Sequence, residues 1–269
     1  MLERRLEWEA LRNARDLGGL PLDGGGETRA GVLVRSDTLR QLTSVGWADL
    51  EAYGVRTVLD LRFQVEIDAD EPVDTGPGGL SRELLSAHAD RAAGPRHLRK
   101  VCVSILGEPD TELGRHFDAL SRAEADEATS TRAVYLEMLA LFRPRFVQAV
   151  SAIAEADAGG VLVHCHAGKD RTGLVVALVL GALGVDPGTI AADYAFSGPN
   201  LASSLAAWIG DADDPDEREH RRRVALSPEQ AMLDVLEAID DVYGGPVHYL
   251  RDGGLRERDL ERIRERLAS

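Results

Sequence analysis

The chain has 269 residues, of which 44% are hydrophobic, so it is long enough to bury a core as one domain or as a domain with an insertion. Its formal net charge of −15 argues against a nucleic-acid binder and against stable membrane association, because both partners carry negative charge. The N-terminus lacks an apolar stretch of signal-peptide length, and two widely spaced cysteines provide no disulfide framework. We therefore expect a cytoplasmic protein, with export without a signal peptide left open.

The first part of the chain alternates short strands with a helix. The pattern predicts strands over 31–35 and 55–61 and a helix over 44–53. The second strand is apolar along most of its length, which is typical of a strand buried on both faces of a parallel sheet. Asp60 and Arg62 then fall near its carboxyl end, the edge at which open α/β sheets place their ligands.

The middle of the chain is longer than one crossover requires. After an acidic loop rich in Pro and Gly at 68–79, no clear strand follows until the valine-rich run near residue 160. We interpret 82–129 as a helical insertion that could act as a lid over the active site; a poorly ordered surface excursion is the alternative. Two predicted helices follow at 131–143 and 145–156, separated at Pro144.

The chemistry is concentrated in the ten residues His-Cys-His-Ala-Gly-Lys-Asp-Arg-Thr-Gly at 164–173, which place Cys165 six positions before Arg171. A valine-rich run leads in and an apolar helical run leads out, so the segment joins a strand to a helix N-terminus. Backbone N–H groups and the helix dipole would converge there and form an anion site suited to a phosphoryl group. Its positive potential would hold Cys165 as a thiolate, and Arg171 can donate two hydrogen bonds to phosphoryl oxygens. The pattern indicates cysteine-dependent hydrolysis of a phosphate ester.

Such a reaction benefits from a carboxylic acid that protonates the leaving oxygen. Asp170, inside the loop, is the first candidate, and its structural alternative is the N-cap of the helix that follows. Asp60, at the carboxyl edge of the sheet, is the second candidate. Its structural alternative is an ion pair with Arg62 or Arg15.

Other residues of the motif are expected to bind or support the phosphate. The predicted phosphate-binding loop comprises His166, Ala167, Gly168, Lys169, Asp170 and Arg171. Lys169 would add positive charge for a second phosphate, while His164 would orient the loop. Thr172 could donate a hydrogen bond to the thiolate, and Arg15 and Asp16 would brace the loop. No metal ion or other cofactor is expected, because no His and Asp pair near the loop has metal-ligand spacing backed by a second cluster.

The rest of the chain is predicted to be helical. Helical patterns cover 188–196 and 200–209, and 211–223 is interpreted as a charged, exposed linker. A capping box at 227–230 opens a helical C-terminal part over 227–269. We expect a single domain over the whole chain, 1–269.

Several motifs resemble the bacterial tyrosine phosphatases of the mycobacterial protein tyrosine phosphatase B type. Besides the loop, the similar segments are 13–19, 31–37, Asp60-Leu61-Arg62 with Glu66, Asp193-Tyr194 with Ser197, and 243–254. The resemblance implies a phosphatase-type α/β fold with a short, mainly parallel sheet flanked by helices. It also implies hydrolysis of phosphotyrosine in proteins, often with phosphoserine, phosphothreonine or phosphoinositides as further substrates, and inorganic phosphate as product.

Three alternatives stay open at this point. The Ala-Gly-Lys-x-Arg segment is also similar to the loop of phosphoinositide phosphatases, and a small-metabolite phosphatase would use the same loop chemistry. Sulfurtransferases and arsenate reductases also place a cysteine in an anion-binding loop, although they usually lack the His-Cys start and the Arg-Thr-Gly end. A catalytically weak module that binds phosphoproteins is the alternative outside enzymes, and it would be favoured by a missing nucleophile or arginine, both of which are present.

Overall fold

A computed structural model describes residues 4–68, 94–95 and 97–269. The described residues form one five-stranded sheet, whose strands are β1 (Arg15–Asp16), β2 (Leu33–Ser36), β3 (Val55–Asp60), β4 (Arg99–Cys102) and β5 (Gly160–His164). Their order across the sheet is β1-β2-β5-β3-β4, with β1 antiparallel to β2 and all other neighbours parallel. The central strand β5 is therefore hydrogen-bonded on both sides, and all of its residues are buried.

Helices cover both faces of this sheet. They are α1 (Ser44–Ala52), α2 (Gln64–Asp68), α3 (Thr111–Ala123), α4 (Glu127–Leu141), α5 (Arg143–Ala154), α6 (Asp170–Leu183), α7 (Pro187–Ala195), α8 (Ser197–Gly210), α9 (Pro215–Ala225), α10 (Glu229–Tyr243), α11 (Pro246–Asp252) and α12 (Glu257–Leu267). Among the helices of the described ranges, none is long and apolar enough to cross a membrane. The predicted α/β fold with a mainly parallel sheet flanked by helices is confirmed.

Alternating side chains of β5 divide the apolar residues into two clusters. Val161 and Val163 face the larger cluster, which α4 to α7 and α10 to α12 complete. Leu162 faces the smaller one, which contains Trp47 and Leu50 of α1. Apolar side chains cover both faces of the sheet at β5. A polar site can therefore form at the carboxyl end of this strand but not on its faces.

Two helices begin earlier in the chain than predicted. Helix α4 begins at Glu127 rather than near residue 131, since the side chain of Asp126 accepts hydrogen bonds from the N–H groups of Ala128 and Thr129. The two predicted helices are present, but the break between them lies at Phe142; Pro144 lies in the first turn of α5, where its missing N–H costs nothing.

The predicted linker at 211–223 is wrong, because residues 215–225 form helix α9. Asp214 caps this helix by accepting a hydrogen bond from the N–H of Asp216, and Pro215 occupies its first turn. The predicted capping box is also absent. Pro228 stands at the N-cap of α10, and the hydroxyl of Ser227 is buried without a hydrogen-bond partner among the described residues.

The candidate lid at 82–129 is described only in part, because residues 82–93 and 96 lie outside the described residues. The rest of it contains α3 and the start of α4, but also β4, which pairs in parallel with β3 at the edge of the sheet. The prediction that 82–129 is a helical insertion without a strand is therefore wrong. Its function as a lid stays a prediction.

Candidate active site

Cys165 directly follows the central strand, and helix α6 begins five residues later at Asp170. The side chain of Cys165 is buried, at 2% exposure. Asp170 is therefore the first residue of the helix rather than its N-cap, which is Lys169. Strand, loop and helix N-terminus follow one another as the motif predicts, so the positive end of the α6 dipole points into the loop.

The back of the loop is fixed by its own carbonyl groups. The side-chain amide of Asn13 donates to the carbonyl oxygens of Ala167 at 3.0 Å and of Gly168 at 3.3 Å. Arg35 donates to the carbonyl of Gly168 at 2.8 Å. In a trans peptide the N–H points opposite to the C=O, so bonding these carbonyls behind the loop turns the following N–H groups to its other side. On that side they can donate hydrogen bonds to an anion.

One glycine lets the loop lie against strand β2. Gly168 has a φ of +65°, and a Cβ built on it would lie 2.1 Å from the carbonyl oxygen of Ser36. Any other residue would therefore be strained in φ and would also clash with backbone.

A buried charge cluster holds the two arginines nearest the loop. Asp193 of α7 accepts from Arg15 at 3.1 Å, from Arg35 at 2.8 Å and from Arg4 at 3.1 Å. Burial raises the pKa of Asp193, but the charges of the three arginines lower it by more, so the net pKa lies well below the ordinary value. Burial and the charge of Arg35 lower the pKa of Arg15 to about 10. Arg15 also donates to the side-chain oxygen of Asn13 at 2.6 Å, so it supports the loop through Asn13.

Arg171 is held by a carboxylate that lies far from it in sequence. Its two terminal nitrogens donate to the two carboxylate oxygens of Glu66 in α2, at 2.6 and 3.1 Å. Burial lowers the pKa of Arg171, but the bonds to Glu66 and the charge of Cys165 outweigh it and raise the pKa above its ordinary value. A guanidinium has five N–H groups, so three remain for other acceptors. Sequence reasoning placed Glu66 in a family-like motif but gave it no role.

Asp170 lies between a tyrosine and a lysine. Its Oδ1 accepts a hydrogen bond from the hydroxyl of Tyr135 at 2.6 Å and lies 2.8 Å from the ammonium nitrogen of Lys169. Burial raises the pKa of Asp170, whereas Lys169, Tyr135 and Arg171 lower it, and the net pKa lies below the ordinary value. The side chain of Asp170 is still 37% exposed, so a ligand bound beside the loop can contact it.

Lys169 has a different environment from the one predicted for it. Its side chain is only 5% exposed, and besides Asp170 it donates to the carbonyl oxygens of Val224 at 3.1 Å and Leu226 at 3.0 Å. An ammonium has three N–H groups, and three acceptors are present. Lys169 thus joins the loop to the C-terminal end of α9, where the helix dipole favours a cation, and it offers no free donor to a second phosphate in this conformation.

Asp60 forms an ion pair with Arg62, the first of the two partners expected from the sequence. Arg62 binds both of its carboxylate oxygens, at 2.9 and 2.7 Å, and the ring of His164 lies 3.5 Å away. Burial raises the pKa of Asp60, but Arg62 and His164 lower it below the ordinary value. Nδ1 of His164 lies 3.0 Å from the carbonyl oxygen of Cys165, which places this ring between the second candidate acid and the start of the loop.

Two predicted supporting residues are placed differently. Asp16 accepts hydrogen bonds from the N–H groups of Gly18 and Gly31, both at 2.6 Å, and from the hydroxyl of Tyr53, so it ties the N-terminal segment to the end of α1. The hydroxyl of Thr172 is buried and has no hydrogen-bond partner within the described part of the chain. A donor to the Cys165 thiolate is therefore available beside the loop, although that bond is not formed here.

Two cavities lie on either side of Lys169 and Asp170, with volumes of about 390 and 310 Å³. The larger is lined by His166 and Ala167 together with Arg12, Thr38 and Arg40, and the side chain of His166 is exposed. The smaller is lined by apolar side chains such as Phe117 and Val134 and by charged ones such as Glu217 and Arg221. Trp208 and Val224 line both cavities.

Comparison with known proteins agrees with this geometry. A model of the tyrosine phosphatase family matches residues 6–269. The triple specificity protein phosphatase PtpB of Mycobacterium tuberculosis is 31% identical, over 88% of this chain and 90% of its own length. A tyrosine-protein phosphatase of Nostoc commune is 29% identical, over 88% of this chain and 74% of its own length. The predicted resemblance and the predicted enzyme class, a phosphoric monoester hydrolase, are confirmed, and the chain belongs to the tyrosine phosphatase family.

Proposed function

We propose that this enzyme hydrolyses phosphotyrosine in proteins through a cysteinyl-phosphate intermediate. The observation that carries the proposal is the arrangement around the loop: Cys165 at the end of a central strand, N–H groups turned away from bonded carbonyls, and the α6 N-terminus, with Arg171 close by. A dianionic phosphoryl group bound there would have the sulfur of Cys165 next to its phosphorus and hydrogen-bond donors around its oxygens.

In the first step the Cys165 thiolate attacks phosphorus in line with the ester oxygen. An S–P bond forms, the P–O bond to the tyrosine breaks, and the leaving oxygen takes a proton from a carboxylic acid. Arg171 and the loop N–H groups hold the three equatorial oxygens while charge is redistributed. Glu66 keeps the guanidinium in one orientation, which lowers the entropic cost of forming that fork.

In the second step water attacks the same phosphorus. The S–P bond breaks, Cys165 leaves as a thiolate, and the carboxylate accepts the proton of the water. The hydroxyl of Thr172, buried without a partner among the described residues, would stabilise the leaving thiolate by a hydrogen bond. Inorganic phosphate is released.

Asp170 is the better supported acid. It is 37% exposed and lines both cavities beside the loop, so a leaving group could reach it. Asp60 is 11% exposed and has both oxygens bound by Arg62, so taking up and delivering a proton would first require this ion pair to open.

Proteins are favoured over phosphoinositides as substrates for a local reason. The cation expected to bind a second phosphate, Lys169, is buried with its three donors used. Phosphoserine and phosphothreonine are further candidates, because the mycobacterial relative is a triple specificity protein phosphatase.

The test is hydrolysis of a phosphotyrosine peptide, with chelator present, by the wild type, Cys165→Ser and the matched control Cys102→Ser, which changes the other, exposed cysteine. We expect turnover in the wild type and in Cys102→Ser and a loss of at least about a thousandfold in Cys165→Ser. Trapping of ³²P on the wild type after acid quench would identify the intermediate. Turnover that persists in Cys165→Ser, or that chelator abolishes, would overturn the proposed route.

A further inference from the structure

Two buried tyrosines form a hydrogen-bonded chain that ends on Asp170. The hydroxyls of Tyr194 and Tyr135 lie 2.9 Å apart, and the hydroxyl of Tyr135 donates to Oδ1 of Asp170 at 2.6 Å. Both side chains are almost completely buried, at 1% and 2% exposure. Their rings pack edge to face, with centroids 6.0 Å apart, so the position of the donor is fixed by the core.

This chain makes the two oxygens of Asp170 different. Oδ1 receives both the Tyr135 hydroxyl and the ammonium of Lys169. Within the described residues Oδ2 receives no hydrogen bond. The side chain is 37% exposed and lines the two cavities. A proton that resides on this carboxyl therefore resides on Oδ2, because Oδ1 is already occupied by two donors.

We propose that Tyr135 is a positioning residue for acid catalysis, which holds Asp170 so that Oδ2 faces the leaving oxygen of the substrate. This inference rests on the assignment of Asp170 as the acid under the proposed function. Tyr194 acts one step further back by fixing the hydroxyl of Tyr135. A one-point contact at Oδ1 without Tyr135 would leave the carboxyl free to rotate about its χ2, which is a soft torsion.

The same contact has a consequence for pH dependence. Other charged or titratable groups near Asp170 are Lys169 and Arg171 beside it. Across the smaller cavity lie Asp118, Glu217, His220 and Arg221, and across the larger one lie Arg12, Asp37, Arg40 and His166. A donor to the carboxylate stabilises its charged form, so removing the Tyr135 hydroxyl raises the pKa of Asp170. The alkaline limb of kcat/KM, which reports loss of the acid's proton, then moves to higher pH in Tyr135→Phe.

The experiment measures kcat/KM of Tyr135→Phe on aryl phosphates whose leaving phenols range from strongly to weakly acidic. A weakly acidic phenol needs a proton as it leaves, whereas a strongly acidic one does not. We expect a loss of about tenfold on phenyl phosphate and less than about twofold on the most activated ester. The matched control is Tyr249→Phe, which removes another buried tyrosine hydroxyl, bonded at 2.7 Å to the carbonyl of Leu139.

Further variants separate this inference from the acid assignment. Asp170→Asn should show a stronger dependence on the leaving group, and adding Tyr135→Phe to it should leave that dependence unchanged. Tyr194→Phe, a milder change, should shift the series in the same direction as Tyr135→Phe. An equal loss on all esters in Tyr135→Phe, beside a graded loss in Asp170→Asn, would overturn the positioning role alone. An equal loss in Asp170→Asn would overturn the acid assignment, and the positioning role with it.

Discussion

Two arginine–carboxylate groups support the Cys165 loop, and they differ in how deeply they are buried. Behind the loop Asp193 holds three arginines, and the side chains of Asp193, Arg15 and Arg35 are each 1% exposed. Beside the loop Glu66 holds Arg171 alone, and their side chains are 25% and 13% exposed. The first group fixes backbone, whereas the second carries a residue proposed to bind substrate.

Burial explains why the two groups suit different tasks. Opening a contact in the Asp193 cluster would leave an uncompensated charge in the interior, which is costly, so this cluster stays closed. The Glu66–Arg171 pair is more accessible to water, so opening it costs less, and three guanidinium N–H groups remain for a ligand. Four measurements can break or sharpen this comparison.

The largest effect is expected for Arg171→Lys. A lysine keeps the charge but loses the planar fork, so kcat/KM on a phosphotyrosine peptide should fall about a thousandfold. The free energy of unfolding should change by less than about 1 kcal/mol, because the pair is partly exposed. The control is Arg222→Lys on an exposed pair with Glu219. A loss of tenfold or less would show that Arg171 is not a principal phosphate ligand.

Asp193→Asn should have the next largest effect, and it should act on stability. Three arginines would lose their shared negative charge in the interior, so the free energy of unfolding by urea should fall by about 3–5 kcal/mol. Glu219→Gln, at a carboxylate that is 63% exposed, should change it by less than about 0.5 kcal/mol and serves as the control. A folded Asp193→Asn variant of unchanged stability would contradict the proposed division of tasks.

Glu66→Gln should reduce kcat/KM about tenfold and leave stability nearly unchanged, because Arg171 loses its orientation but not its charge. The chain offers a matched control in Glu257→Gln, since Glu257 binds Arg251 through both oxygens, at 3.0 and 2.7 Å, on the exposed surface. A fall in stability as large as that expected for Asp193→Asn would make the two groups equivalent and remove the contrast.

The smallest expected effect is a loss of unfolding free energy at low pH. A carboxylate whose folded-state pKa is lowered stabilises the fold above its unfolded pKa, and that contribution is lost as pH falls toward the folded value. Between about pH 5 and pH 3 Asp193 should therefore cost the wild type about 1 kcal/mol of unfolding free energy. Urea titrations at both pH values should show this loss in the wild type and in the exposed control Glu219→Gln but a smaller loss in Asp193→Asn. Equal losses of unfolding free energy in all three proteins would refute the assignment of this pH dependence to Asp193.

The parts that could be predicted from the sequence are those set by neighbouring residues. The apolar run before Cys165, the loop glycine and the apolar run after it fix strand, loop and helix within one short segment, and the structure follows them. Cys165 and Arg171 were therefore predictable as a pair. Helix α9 was missed because its charged composition favours exposure, although Asp214 and Pro215 are ordinary signals of a helix start.

What could not be predicted depends on contacts between distant parts of the chain. Glu66 and Arg171 are 105 residues apart, Arg15 and Asp193 are 178 apart, and Tyr135 and Asp170 are 35 apart. No local pattern distinguishes a glutamate that will meet an arginine from one that will meet water. The environment of Lys169 was missed for the same reason, because its partners are carbonyl groups of α9, which every residue possesses.

The contact at Gly168 has a consequence for the tolerance of this gene to mutation. A side chain there would meet the Ser36 carbonyl at 2.1 Å, in a backbone conformation that only glycine adopts readily. In a library of single substitutions, position 168 should accept no replacement even when selection asks only for folded protein. Gly19 has a similar φ of +72°, but no atom of the described residues lies within 4 Å of its added Cβ, so it should accept asparagine and aspartate. Two glycines with nearly the same torsion would thus differ in mutational tolerance, and the difference would measure how closely the loop approaches strand β2.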